Sequence, residues 1–136
     1  MVEMDGVYEG QLRCSITHGP SKNKISTDAP KDNQGRGEAF SPTDLVGAAL
    51  GSCMLTIMGI YAQRHNLDLA GSTFHVEKEM VTAPVRRIGK LTVKFQLKGA
   101  IPAEQRRALE SAALTCPVHK SLHPDVHVDA AFSYEG

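Results

Sequence analysis

The segment Leu45–Ala62 constrains the fold of this chain most. It is the most apolar run in the sequence, yet Gly47, Gly51, Ser52 and Gly59 interrupt it. Just before it, Ser41-Pro42-Thr43-Asp44 reads as a helix start. Ser41 can accept from exposed backbone N–H groups, Pro42 fits the first helical position, and Asp44 suits the positive end of the helix. The pattern predicts a helix from there to about Asn66. Three internal glycines each cost roughly 1 kcal/mol relative to alanine. A helix carrying that cost needs close backbone packing, either within its own chain or against a symmetry mate. The run approaches membrane length, but its small and polar residues favour a packed interior helix over a span.

The flanking segments predict β-structure around this helix. Val7–Ile16 and Lys24–Thr27 are candidate strands joined by the turn segment His18-Gly19-Pro20-Ser21, and Ala29–Phe40 reads as a loop. After the helix, Phe74–Val81 and Leu91–Leu97 predict a strand pair connected by Thr82–Gly89, the second strand alternating strictly. Lys90, Lys94 and Lys98 would face water, opposite Glu77 and Glu79. Pro102 opens a second helix reaching about Thr115, with Leu109, Ala112, Ala113 and Cys116 on its buried face. Pro117 disfavours helical geometry at Cys116, so a break or restart is expected there. A last strand, Val126–Ser133, turns Val126, Val128, Ala130 and Phe132 inward. This order predicts one α+β domain over residues 1–136, with a β-meander and loop in 1–40 and helix, strands, helix and strand in 41–136.

Lys plus Arg and Asp plus Glu number 15 each, giving no net charge. That balance argues against nucleic acid or an anionic membrane as partner. Met1–Gly10 has no basic stretch leading into an apolar one, so no secretory signal is read and a cytoplasmic location is expected. Three cysteines, an odd count, point to reduced or redox-active thiols rather than a disulfide framework.

Cys53 lies about three turns into the first helix. It is either a small core residue or a reactive thiolate activated by a neighbouring cation or hydrogen-bond donor, because the helix dipole acts only within the terminal turns. Cys116 either packs at a helix end or, if a new turn starts at Pro117, caps it in a position that favours a thiolate. His119 would then supply a further donor or charge. Cys14, beside Arg13, reads as a strand packing residue. Cys116-x-x-His119 with His123 is at best half a zinc site, so no metal is expected. His65, His75 and His127 read as surface histidines, and Arg86-Arg87 as a solvated turn.

Two segments carry a resemblance. Ser41-Pro42-Thr43-Asp44-Leu45-Val46-Gly47-Ala48-Ala49-Leu50-Gly51-Ser52-Cys53 resembles the helix that bears the reactive cysteine of the OsmC/Ohr family. Thr115-Cys116-Pro117-Val118-His119 resembles that family's second cysteine, followed by proline. The interval between them encloses a strand pair and a helix, as in the family. The resemblance implies an intertwined α+β homodimer, with antiparallel β-sheets wrapped around long central helices. It also implies a peroxidase, active in oxidative-stress defence. Cys53 would attack a small organic hydroperoxide and become a sulfenic acid. Cys116 would condense with it to a Cys53–Cys116 disulfide, and a dithiol reductant would reopen the bond with no other cofactor. A nearby resolving thiol suits this chemistry because it traps the sulfenic acid before irreversible oxidation.

The sequence departs from the family pattern at the activating groups. Peroxidase members carry Glu ten residues before the reactive cysteine, where this chain has Thr43. They also use an N-terminal Arg, and the nearest match by position falls around His18. Arg36, in the loop before the helix, is a candidate replacement, and a protonated His18 a partial one. Two other readings stay open. One is a non-catalytic, stress-associated dimer whose paired thiols bind a ligand or metal. The other is a thiol transferase or hydrolase using Cys53 with His119, which needs a base within hydrogen-bond reach of the nucleophile.

Overall fold

The computed structural model describes residues 1–135. The chain divides into two compact units, Met1–Val46 and Gly47–Gly136.

The first unit is an antiparallel sheet of β1 (Met4–Gly10), β2 (Arg13–His18) and β3 (Lys24–Asp28), in that order. The expected single strand Val7–Ile16 is in fact a hairpin, because Gln11 and Leu12 take φ of 54° and 64° and reverse the chain. Two consecutive left-handed residues fit the right-handed twist of a tight hairpin. The usual Asn-Gly signal is missing here, which hides the turn from a reading of the sequence. Register then sets Arg13 opposite Asp28. The loop of residues 29–40 contains a short 3-10 turn, Lys31–Asn33.

The long helix α1 runs Pro42–Arg64, two residues shorter than expected at its end, where Asn66 turns left-handed at φ 57°. Its start forms as expected. Ser41 Oγ accepts from the Asp44 N–H at 3.1 Å, and Asp44 Oδ2 accepts from the Ser41 N–H at 2.9 Å. This reciprocal pair satisfies two backbone donors at the helix entry. Length and composition alone would let α1 cross a membrane. Here Gly47, Leu50, Gly51, Met54, Met58 and Ala62 form a single buried face.

In the second unit, β4 (Thr73–Val81), β5 (Arg87–Leu97) and β6 (His127–Tyr134) form a sheet in that order. The strand β5 begins earlier than expected, taking up Arg87–Gly89 from the assumed connection, with a register shift at Glu79–Met80. The β4–β5 pair is antiparallel, whereas β5–β6 is parallel. That parallel pair departs from the expected all-antiparallel sheets. Helices α2 (Ala103–Ala113) and α3 (Pro117–Ser121) lie in the β5–β6 connection and give it the length a parallel crossover needs.

The sheet explains two of the helix glycines. A Cβ on Gly51 would fall 2.6 Å from Phe74 Cε1, and one on Gly47 would fall 3.2 Å from Val76 Cγ1. Both glycines admit β4 against the helix backbone. Gly59 meets nothing within 4 Å. Leu91, Val93, Phe95 and Leu97 of β5 complete the core with Leu109, Ala113 and Cys116. Phe132 stacks on Phe95 at 5.2 Å, so the predicted inward face of β6 is observed. Lys94 pairs with Glu77 at 3.8 Å as expected, but Lys90 turns to Asp129 at 3.7 Å rather than to Glu79.

Candidate functional site

Cys53 and Cys116 lie together within the second unit. Cys53 sits mid-helix on α1, half-buried beside the core face, and Cys116 is fully buried. Cys116 has extended backbone at φ −61°, ψ 145°, as the following proline requires, and α3 begins at Pro117. The chain therefore restarts a helix with Cys116 as its N-cap. Cys116 Sγ accepts the backbone N–H of His119 at 3.3 Å.

The Cys116 thiol is pushed above its ordinary range, chiefly by burial. The His119 N–H opposes this by favouring the thiolate. A hydrogen bond with the Cys53 thiol, and the charge Cys53 can carry, add to the upward push, while the Val118 N–H pulls weakly down. Cys53 is thus close enough to Cys116 to favour the protonated form of its thiol. Both cysteines are reduced. The Nδ1 of His119 is buried and has no hydrogen-bond partner.

A cavity of about 380 Å³ opens on another face of α1, lined by Ser52, Leu55, Thr56, Gly59, Leu67 and Phe74 among others. Gly59, whose missing side chain no packing contact explains, helps to form it.

The other candidate activating groups, Arg36, His18 and Thr43, belong to the first unit. His18 is tied into its own turn, with Nδ1 2.6 Å from Ser21 Oγ. Arg36 reaches Glu38 at 3.7 Å, and Thr43 Oγ1 lies 3.2 Å from Ser41 Oγ. Arg13 lies five residues before His18 in the same strand. Its guanidinium makes two 2.7 Å bonds to the buried Asp28 carboxylate, and Nη2 also meets Glu38 at 3.2 Å. The signal was a cation and an acid on adjacent strands, readable only once the register was known.

Among the described residues, no group of three or more His, Cys, Asp and Glu side chains is arranged to hold a metal. His123, the third ligand considered for zinc, is exposed and accepts the Asp125 N–H at 3.0 Å. His75 and His127 lie at the surface beside Glu77 and Asp129, as expected.

A thiol pair with one member half-buried mid-helix and the other buried at a helix cap, with these elements in this order, defines a recognisable class. The model of the family described as OsmC-like protein matches residues 35–131, and the chain belongs to that family. It is similar to a protein from Psychrobacter arcticus 273-4 whose crystal structure is named for osmotic stress induction and detoxification response. The two are 44% identical over 97% of this chain and 96% of the other, with a TM-score of 0.92. An OsmC-like protein from Mycoplasma pneumoniae is 12% identical over 100% of this chain and 98% of its own, with a TM-score of 0.83. An organic hydroperoxide resistance protein OsmC from Legionella pneumophila is 18% identical over 98% and 96%, with a TM-score of 0.74. These last two likenesses establish the shared fold. No curated protein matches the chain.

Proposed function

We propose that this protein is a dithiol peroxidase of stress defence, reducing organic hydroperoxides through Cys53 and Cys116. The observation that carries the reading is the proximity of a half-buried Cys53 to a fully buried Cys116, whose thiol it helps to push above its ordinary range. In this reading the more exposed thiol meets the substrate and the buried one closes on it. Attack by the Cys53 sulfur on the peroxide O–O bond gives a sulfenic acid and an alcohol. Cys116 then displaces water to form the disulfide, and a dithiol reductant restores both thiols. The names of the Psychrobacter and Legionella proteins, for detoxification response and organic hydroperoxide resistance, support this reading. It includes a cytoplasmic homodimer.

The test is turnover with cumene hydroperoxide and a dithiol reductant. The reading expects sustained peroxide loss from wild-type protein, loss of turnover in Cys53→Ser, and sulfenic acid trapped by dimedone on Cys53 in Cys116→Ser. Thiols that persist through prolonged exposure would refute it.

A further inference from the structure

We propose that the cavity beside α1 is a binding site for a small uncharged amphiphile, an apolar body carrying one or two hydrogen-bonding groups. Neither cysteine lines it, so the site is separate from the thiol pair and does not rest on the chemistry assigned to that pair.

Local structure builds the cavity. At the end of α1, Asn66 turns left-handed at φ 57°, and the Leu67 N–H donates to the Ala62 carbonyl at 2.8 Å. The Ala70 N–H donates to Asp68 Oδ1 at 2.8 Å and the Ser72 N–H to the Leu69 carbonyl at 2.9 Å, which fix the loop that forms one wall. Phe74 adds to that wall, its ring lying where Gly51 leaves room for it. The other wall is α1 itself, and there Gly59 matters. The approach of β4 requires Gly47 and Gly51, but a Cβ on Gly59 would meet nothing within 4 Å. Glycine is unfavourable in a helix interior, so one that no contact requires keeps space open.

The lining decides the ligand. Leu55, Leu67, Leu69 and Phe74 supply apolar surface. Ser52 and Thr56 add hydroxyls and Gln63 an amide, and among the described residues no protein group pairs with these three side chains. They are therefore available to a guest, as donors or as acceptors. Apolar walls with a few polar groups are the ordinary form of a small-molecule pocket, and about 380 Å³ lies near the small end of the usual range of about 300–1,000 Å³. A dry cavity of about 150 Å³ takes benzene, so this one suits a guest of about two aromatic rings. The one ionisable side chain in the lining is Asp68, which opposes an anionic guest such as a carboxylate.

Two fluorescent probes of one skeleton test this on the reduced full chain. N-phenyl-1-naphthylamine is uncharged, and 8-anilino-1-naphthalenesulfonate adds a sulfonate. The uncharged probe should saturate at one site per chain and bind more tightly than the sulfonate by roughly 3-fold or more, the scale of like charges a few ångströms apart near a surface. Gly59→Leu fills the cavity from the helix and Ala70→Leu from the loop. Each should weaken the uncharged probe by roughly 10-fold or more, since a single methylene of misfit is worth about that much. Asp68→Asn keeps an acceptor for the Ala70 N–H and removes the charge. It should strengthen the sulfonate by about 3-fold, an effect that fades in salt, and move the uncharged probe less than about 2-fold. Thermal melting checks that each variant folds, and Asp68→Asn decides the charge rule even where a filled variant does not fold. Fluorescence that never saturates, full binding in both folded filled variants, or a sulfonate affinity indifferent to Asp68→Asn overturns the proposal. So does a probe that binds only once dilution has separated two copies of the chain, which would assign the cavity to the second copy.

Discussion

The backbone N–H of His119 donates to Cys116 Sγ at 3.3 Å, so one thiol both caps helix α3 and faces Cys53 across the core. A hydroxyl can accept the same bond and a methyl cannot. Cys116→Ser should therefore retain about 1 kcal/mol more stability than Cys116→Ala, the usual worth of an N-cap, in urea unfolding. Equal losses in the two variants would mean that the cap contributes nothing.

The same contacts predict how Cys116 titrates. Burial, and contact with Cys53, hold its proton on. Its alkylation should shift to higher pH than that of a free thiol, which ionises near ~8.5. Cys53→Ala removes the hydrogen bond and charge that push upward, so the Cys116 profile should move back down. A profile indifferent to Cys53 would show that the sulfurs do not interact.

Gly51 tests the packing of α1. Alanine is the better helix former by about 1 kcal/mol. A Cβ at Gly51 would nevertheless overlap the Phe74 ring. Gly51→Ala should therefore destabilise, by about 1–3 kcal/mol, the ordinary cost of overpacking. A rise in melting temperature would contradict the close approach of β4 to the helix.

The Arg13–Asp28 pair predicts a pH dependence in the first unit. Its hydrogen bonds and charge hold the Asp28 carboxyl below the ordinary carboxylate range, against the cost of burial. A depressed acid contributes stability that is fully present above its unfolded value of about 3.9 and is lost as pH falls through the lower folded value. Asp28→Asn should melt earlier than wild type at neutral pH, and the gap should narrow below about pH 4. A gap that stays constant in acid would mean that the charge on Asp28 is not what matters.

Local signals were legible in the sequence and non-local ones were not. The Ser41–Asp44 entry to α1 and the Cys116 restart depend on neighbours within a few residues, and both formed as expected. The parallel run of β6 along β5 depends on where a crossover lands. Arg13 meets Asp28 only because the register of β2 on β3 sets them opposite each other. The thiol pair was suggested by motif and interval, but the burial of Cys116 beside Cys53 required the fold. The unpaired Nδ1 of His119 could not be read from composition, since solvated and buried histidines look alike in a sequence.

The proposed chemistry requires that Cys53 and Cys116 close on each other. The direct measurement is peptide mapping of wild-type protein after one equivalent of cumene hydroperoxide, with free thiols blocked before digestion. A dithiol peroxidase should show a loss of two hydrogens in intact mass, a cross-linked peptide joining Cys53 to Cys116, and Cys14 alkylated. Cys53 recovered as sulfinic acid with Cys116 still alkylatable, or a disulfide through Cys14 instead, would contradict it.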